Sequence, residues 1–150
     1  VEAVCLRVFN AYGPGQRVPP FHPPVVPNLL QHALTNGSIV LHGDGSQTRD
    51  YVFVDDVVNA MVTSATASAV DQQIINIGSG VETSVRELAR LVVLAAGTKP
   101  EEIYNPHKSG GADRMCADIS KAYEKLNYLP LIPLEVGLRL TLERDPQFQI

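Results

Sequence analysis

The sequence holds no tryptophan and only two cysteines and two methionines in 150 residues, and each shortage closes off a class of protein. Cys5 and Cys116 lie far apart, with neither the paired spacing of a metal site nor the density of a disulfide framework. That usage fits a reducing compartment, and the cytoplasm is the default expectation. Four histidines, His22, His32, His42 and His107, show no paired ligand spacing and no nucleophile partner, so neither a metal site nor a hydrolytic triad is assigned. Long apolar runs are missing too: the longest, residues 91–96, is far too short to cross a bilayer, which excludes a membrane helix. Positive charge is not in excess, and a net charge of -4 offers no electrostatic footprint for nucleic acid. What is present, 45% hydrophobic residues over 150 positions, suffices to bury one sizeable core in a single domain.

No methionine opens the chain, and VEAVCLRVFN reads at once as a strand apolar on both faces, the pattern of a central parallel strand. Such a strand needs neighbours on both sides, so the expectation is a fragment whose N-terminal half is absent. Residues 10–24, NAYGPGQRVPPFHPP, form a Pro/Gly-rich loop longer than most connections and read as site-forming. A helix is expected over 25–36, with Val26, Leu29, Leu30, Ala33 and Leu34 at helical spacing and Gly37 as its stop. SIVLHG reads as a short strand. Further along come a short strand near EEIYN, a glycine loop, a helix near 119–126 and an amphipathic helix over 134–144.

Residues 43–56, GDGSQTRDYVFVDD, set two glycines and a small polar run before an Arg-Asp pair, a strand-like run and two carboxylates. Read from these residues alone, Arg49 and Asp50 are a solvated pair at a hairpin-like turn. Asp55 or Asp56 caps a following helix whose apolar face carries Val57, Val58, Met61 and Val62. The strand, glycine turn and helix of IINIGSGVETSVRELARLVVLAAG tempt a dinucleotide reading, with Gly78 and Gly80 as the first glycines. However, the third glycine position holds Thr83, and Ser84-x-x-Glu87 is a capping box that satisfies the helix internally.

Together, LRVFNAYGPGQ, the helix after it, GDGSQTRDYVFVDDVVNA, NIGSG, the glycine loop and ADISKAYEKLNYLP occur in the order found in the C-terminal half of NAD-dependent nucleotide-sugar epimerases and dehydratases. The chain therefore resembles the extended short-chain dehydrogenase/reductase family over nearly its whole length. The resemblance implies an α/β fold: the C-terminal part of a Rossmann-like doubly wound fold plus the small substrate-binding subdomain. Residues 1–150 would be the substrate-binding portion for a UDP- or dTDP-sugar. NAD would be bound mainly by the missing N-terminal half, which also carries the catalytic groups for transient hydride transfer. Expected partners are the nucleoside-diphosphate sugar and that missing half, or else a second copy through self-association.

By the same resemblance Arg49 matches an arginine that grips the substrate diphosphate, a dianion suited to a bidentate donor on a stiff turn. Asn10 matches an asparagine at the junction of sugar and nicotinamide, with Phe9 beside it near the nicotinamide. Asn28 resembles a helix residue that meets the diphosphate. In the glycine loop the family shows an arginine where this chain has Lys108, a point charge rather than a fork, so Arg114 nearby is the alternative planar contact. Tyr104 and Lys108 have the spacing of the family's Tyr-x-x-x-Lys pair, but Pro106 lies between them in a strand-and-loop segment, where only a helix would bring the side chains together. They are read as a coincidence. Epimerase, dehydratase, decarboxylase and reductase are left open, as is a non-catalytic nucleotide-sugar-binding module.

Overall fold

The computed structural model describes residues 2–35, 37–106 and 112–149. The opening segment does not run as one strand. β1 (Cys5–Val8) pairs in parallel with β6 (Ile74–Ile77), while β2 (Asn10–Tyr12) pairs in parallel with β5 (Tyr51–Phe53). The switch falls at Phe9, whose N–H still donates to Ile77 O at 2.9 Å, and at Asn10, whose N–H donates to Asp50 O at 3.2 Å. One apolar segment thus ties two strands together, which its composition alone did not reveal.

Two further pairs complete the strands: β3 (Ile39–His42) runs parallel to β8 (Glu102–Asn105), and β4 (Thr48–Arg49) antiparallel to β7 (Thr83–Ser84). The helices are α1 (Val25–Leu34), α2 (Val54–Thr66), α3 (Val85–Ala96), α4 (Ser120–Leu126) and α5 (Leu134–Arg144). α1 ends two positions earlier than its pattern suggested, and Asn36 lies outside the described residues.

β5 is buried at every position because it separates two cores. Side chains alternate along a strand. Tyr51 and Phe53 accordingly face a core built with Leu29 and Leu30 of α1, Leu88 of α3 and Leu138 of α5, while Val52 faces the other, with Ile75, Ile77, Ala60 and Leu126. Burying each large aliphatic or aromatic side chain stabilises the fold by about 1.5–3 kcal/mol. Tyr12 and Phe53 meet edge to face at 5.6 Å, and Gly137 lets α5 approach them where any Cβ would collide with the Tyr12 hydroxyl.

Local signals set several helix ends. Ser84 Oγ accepts from Glu87 N at 3.0 Å to start α3, and Gly97 stops it in the left-handed conformation, φ 67°. Glu87 turns its carboxylate to Arg90 at 2.6 Å. At α2 the expectation of an aspartate cap fails. β5 passes directly into α2, so Phe53 takes the cap position without a side-chain bond and both acids fall inside the first turn. Asp55 pairs with Arg144 at 2.8 Å; Asp56, buried, accepts from Leu131 N at 3.0 Å and Ile132 N at 3.1 Å. The expected apolar face of α2 is also largely wrong. Asp56, Val57, Ala60 and Ser64 are buried, whereas Val58, Met61 and Val62 face outward, because the side packed on β5 is the one that carries Asp56 to the 131–132 backbone.

Candidate functional site

Arg49 ends β4, where the register with β7 sets it opposite Thr83. Its Nη1 donates to Thr48 O at 2.7 Å and to Ala112 O at 2.6 Å, so the guanidinium is held by backbone carbonyls. Asp50, the next residue, is not solvated. It is fully buried, with Oδ1 accepting from Ser79 N at 2.7 Å and Ser79 Oγ at 2.6 Å, and Oδ2 from Gly80 N at 2.9 Å and Ala117 N at 3.0 Å. Burying a charge is tolerable only with such full satisfaction. Asp50 therefore locks the turn bearing Arg49 to the glycine turn and to the segment around residue 117.

This arrangement also decides what the NIGSG turn does. The N–H groups of Ser79 and Gly80, which a dinucleotide pyrophosphate would need, are taken by an internal carboxylate, and Gly78 is packed against it. The turn does not fit a cofactor phosphate.

A cleft of about 650 Å³ opens beside Arg49. Asn10 from β2, Asn28 from α1, His42 from β3, Gln47 and Tyr51 share its lining, so three residues singled out from the sequence, Asn10, Asn28 and Arg49, meet at one place. Asn10 Nδ2 donates to Asp50 O at 3.0 Å, which fixes the amide orientation. Asn28 sits in the first turn of α1, half-buried, where the helix dipole favours negative charge. Sequence reasoning passed over Tyr51 and His42, which were legible only as strand residues. Tyr51 is buried, and burial pushes its hydroxyl up to about 12 despite the opposing pull of the Arg49 cation, so it stays protonated at neutral pH and can donate a hydrogen bond. Neither that hydroxyl nor His42 Nδ1 has a hydrogen-bond partner among the described residues.

The remaining sequence candidates lie elsewhere. Arg114 is exposed and forks onto Glu82, with Nη2 at 2.5 Å and Nε at 3.1 Å from Oε1, a hydrogen bond that lowers the Glu82 carboxyl. With Thr48 N donating to Asp113 O at 2.9 Å, it staples this segment against β4. Phe9 is half-buried at the junction of β1 and β2. Lys108 falls outside the described residues. Tyr104 is on β8 with its hydroxyl on Glu102 Oε2 at 3.1 Å; its strand geometry gives a tyrosine–lysine pair no shared helical face. Among the described residues no group of three His, Cys, Asp or Glu side chains could hold a metal ion, and no helix is long and apolar enough to cross a membrane.

Residues 1–78 match the NAD dependent epimerase/dehydratase family. The UDP-glucose 4-epimerase of Mycolicibacterium smegmatis is 39% identical over 134 residues, which cover 89% of this chain and 42% of that protein. Among solved structures, the UDP-glucose 4-epimerase of Thermotoga maritima with UDP-glucose superposes with a TM-score of 0.88 at 36% identity, over 95% of this chain and 45% of that one. The UDP-glucuronic acid 4-epimerase of Bacillus cereus, in complex with UDP-glucuronic acid and NAD, gives 0.83 at 29% identity, over 93% and 44%. The fold is thus α/β and Rossmann-like, and the chain spans less than half the length of these relatives.

Proposed function

The chain belongs to the NAD-dependent epimerase/dehydratase family, and from that premise we propose that residues 1–150 are the substrate-binding portion of a nucleotide-sugar epimerase or dehydratase that takes a UDP- or dTDP-sugar. The observation that carries the reading is the convergence of Arg49, Asn28 and Asn10 on one cleft. In it Arg49 faces the diphosphate, held so that little side-chain entropy is lost on binding. Asn28 adds an amide at the start of α1. Asn10, oriented through Asp50 O, stands where sugar and nicotinamide would meet, with Phe9 adjacent. Arg114, forked onto Glu82, reaches a ligand only by leaving that carboxylate, and Lys108 stays a candidate from the family resemblance alone.

NAD, when bound, supplies the acceptor and donor of a hydride. Because the Gly78–Gly80 turn is filled by Asp50, most of the NAD contacts fall to a portion outside these residues, with Asn10 and Phe9 at its edge. The chain's own residues bind and orient the sugar nucleotide. Calorimetric titration with UDP-glucose and with NAD tests this: micromolar-to-millimolar binding of the sugar nucleotide that depends on Arg49 supports it, and binding of neither ligand contradicts it.

A further inference from the structure

The proline-rich loop before α1 carries an anomaly that the diphosphate site does not absorb. Phe21 is 82% exposed, a large apolar ring left in water, and it lines the same cleft as Arg49. The loop does not leave it there by looseness. Pro19, Pro20, Pro23 and Pro24 flank it, and His22 adopts φ 51°, a left-handed conformation costly for a residue with a side chain. Stiff chain on both sides and a strained residue next to it hold the ring out at the rim. Val40 on β3 borders the same cleft and is also exposed, at 44%. The cleft therefore has an apolar lip in addition to its cationic centre.

We propose that Phe21 is a further binding residue that stacks on the nucleobase of the bound nucleoside diphosphate, with the Pro19–Pro24 loop as a pre-stiffened strap. A nucleobase is the planar, largely apolar group that accompanies the diphosphate, and an aromatic face pairs with it without needing hydrogen-bond complementarity. A proline-stiffened strap loses little conformational freedom when the ring docks. The inference rests on the nucleoside-diphosphate reading of the cleft.

The chain has no tryptophan, so Phe21→Trp installs a single indole reporter at the rim. UDP is expected to quench its emission while pyrophosphate, which lacks the base, leaves it unchanged. Phe21→Ala, an exposed change checked for folding by circular dichroism, should weaken UDP binding roughly tenfold by calorimetry. If UDP binds the unmodified chain with measurable heat, yet the indole emission does not move and Phe21→Ala binds within about twofold of wild type, the stacking role is overturned and the diphosphate site stands. An equal emission change with pyrophosphate overturns it as well. Absence of any UDP heat with the unmodified chain overturns the functional reading itself, and this inference with it.

Discussion

The Asp50 carboxylate and Gly78 are packed so closely that a Cβ built at Gly78 would lie 2.6 Å from Asp50 Oδ2. The carboxylate needs the space and the turn needs the carboxylate. Asp50→Asn, which replaces an acceptor-only group facing four donors by one that must point an amide at some of them, should cost about 3 kcal/mol. Gly78→Ala should cost about 1–3 kcal/mol through overpacking. Urea denaturation checks both; a loss below about 1 kcal/mol for Asp50→Asn would show that the hub does not hold the turn.

Asp145 gives a pH-dependent counterpart. Burial pushes its carboxyl up, but hydrogen bonds from Gln147 N, Gly15 N and the Gln147 side chain outweigh burial and hold it below the ordinary carboxylate value. A lowered folded-state value means that the stability it contributes is complete above the unfolded value, about 4, and is lost as pH falls through the folded one. Comparing wild type with Asp145→Asn by denaturation across pH 7 to 2, the wild-type advantage should be level down to about 4 and vanish below it. A pH-independent difference would contradict this.

The outward face of α2 leads to a prediction about association. Val58, Met61 and Val62 are 50%, 57% and 64% exposed, and Ile74 on β6 and Val8 on β1 are exposed at 51% and 38%. Val58, Met61 and Val62 share one face of α2, and an exposed apolar face of this kind is usually covered by a partner. Sedimentation at low micromolar concentration should show the 150-residue chain heavier than a monomer, and Met61→Lys should reduce the association. A stable, non-associating monomer would count against a covered face.

Tyr104 should be dispensable for chemistry. Its hydroxyl is occupied by Glu102 on a strand, and proton transfer requires a geometry that this placement does not offer. Under the proposed function, in an enzyme that joins this chain to an NAD-binding portion, Tyr104→Phe should keep most of its turnover; a fall of several orders of magnitude with the fold intact would place the residue in the catalytic machinery.

Much of this fold was readable where the signal is local. The 134–144 helix matches its periodicity, and Ser84 and Gly97 bracket α3 as caps do. What escaped depends on partners distant in sequence. Asp50 looks like a turn residue beside Arg49, and nothing near it announces donors at Ser79, Gly80 and Ala117. Asp56 fits a cap on composition, yet its bonds go to residues 131 and 132. The α2 face was misassigned because hydrophobicity was read as burial, whereas its most apolar side is the exposed one. At the site, Arg49, Asn10 and Asn28 are candidates through the family resemblance that the order of motifs carries, and what the structure adds is that all three line one cleft. Tyr51, His42 and Phe21 became visible only when the cleft brought their elements together.

The central claim is that Arg49 holds the diphosphate of a nucleotide sugar, and calorimetry with UDP-glucose on wild type, Arg49→Ala and Arg114→Ala tests it most directly. Loss of a charge-assisted contact of this kind should weaken binding by about 2–3 kcal/mol for Arg49→Ala, roughly thirtyfold to a hundred-and-fiftyfold. Arg114→Ala, whose fork already engages Glu82, should lose less. A folded Arg49→Ala variant that binds UDP-glucose as tightly as wild type would contradict the account.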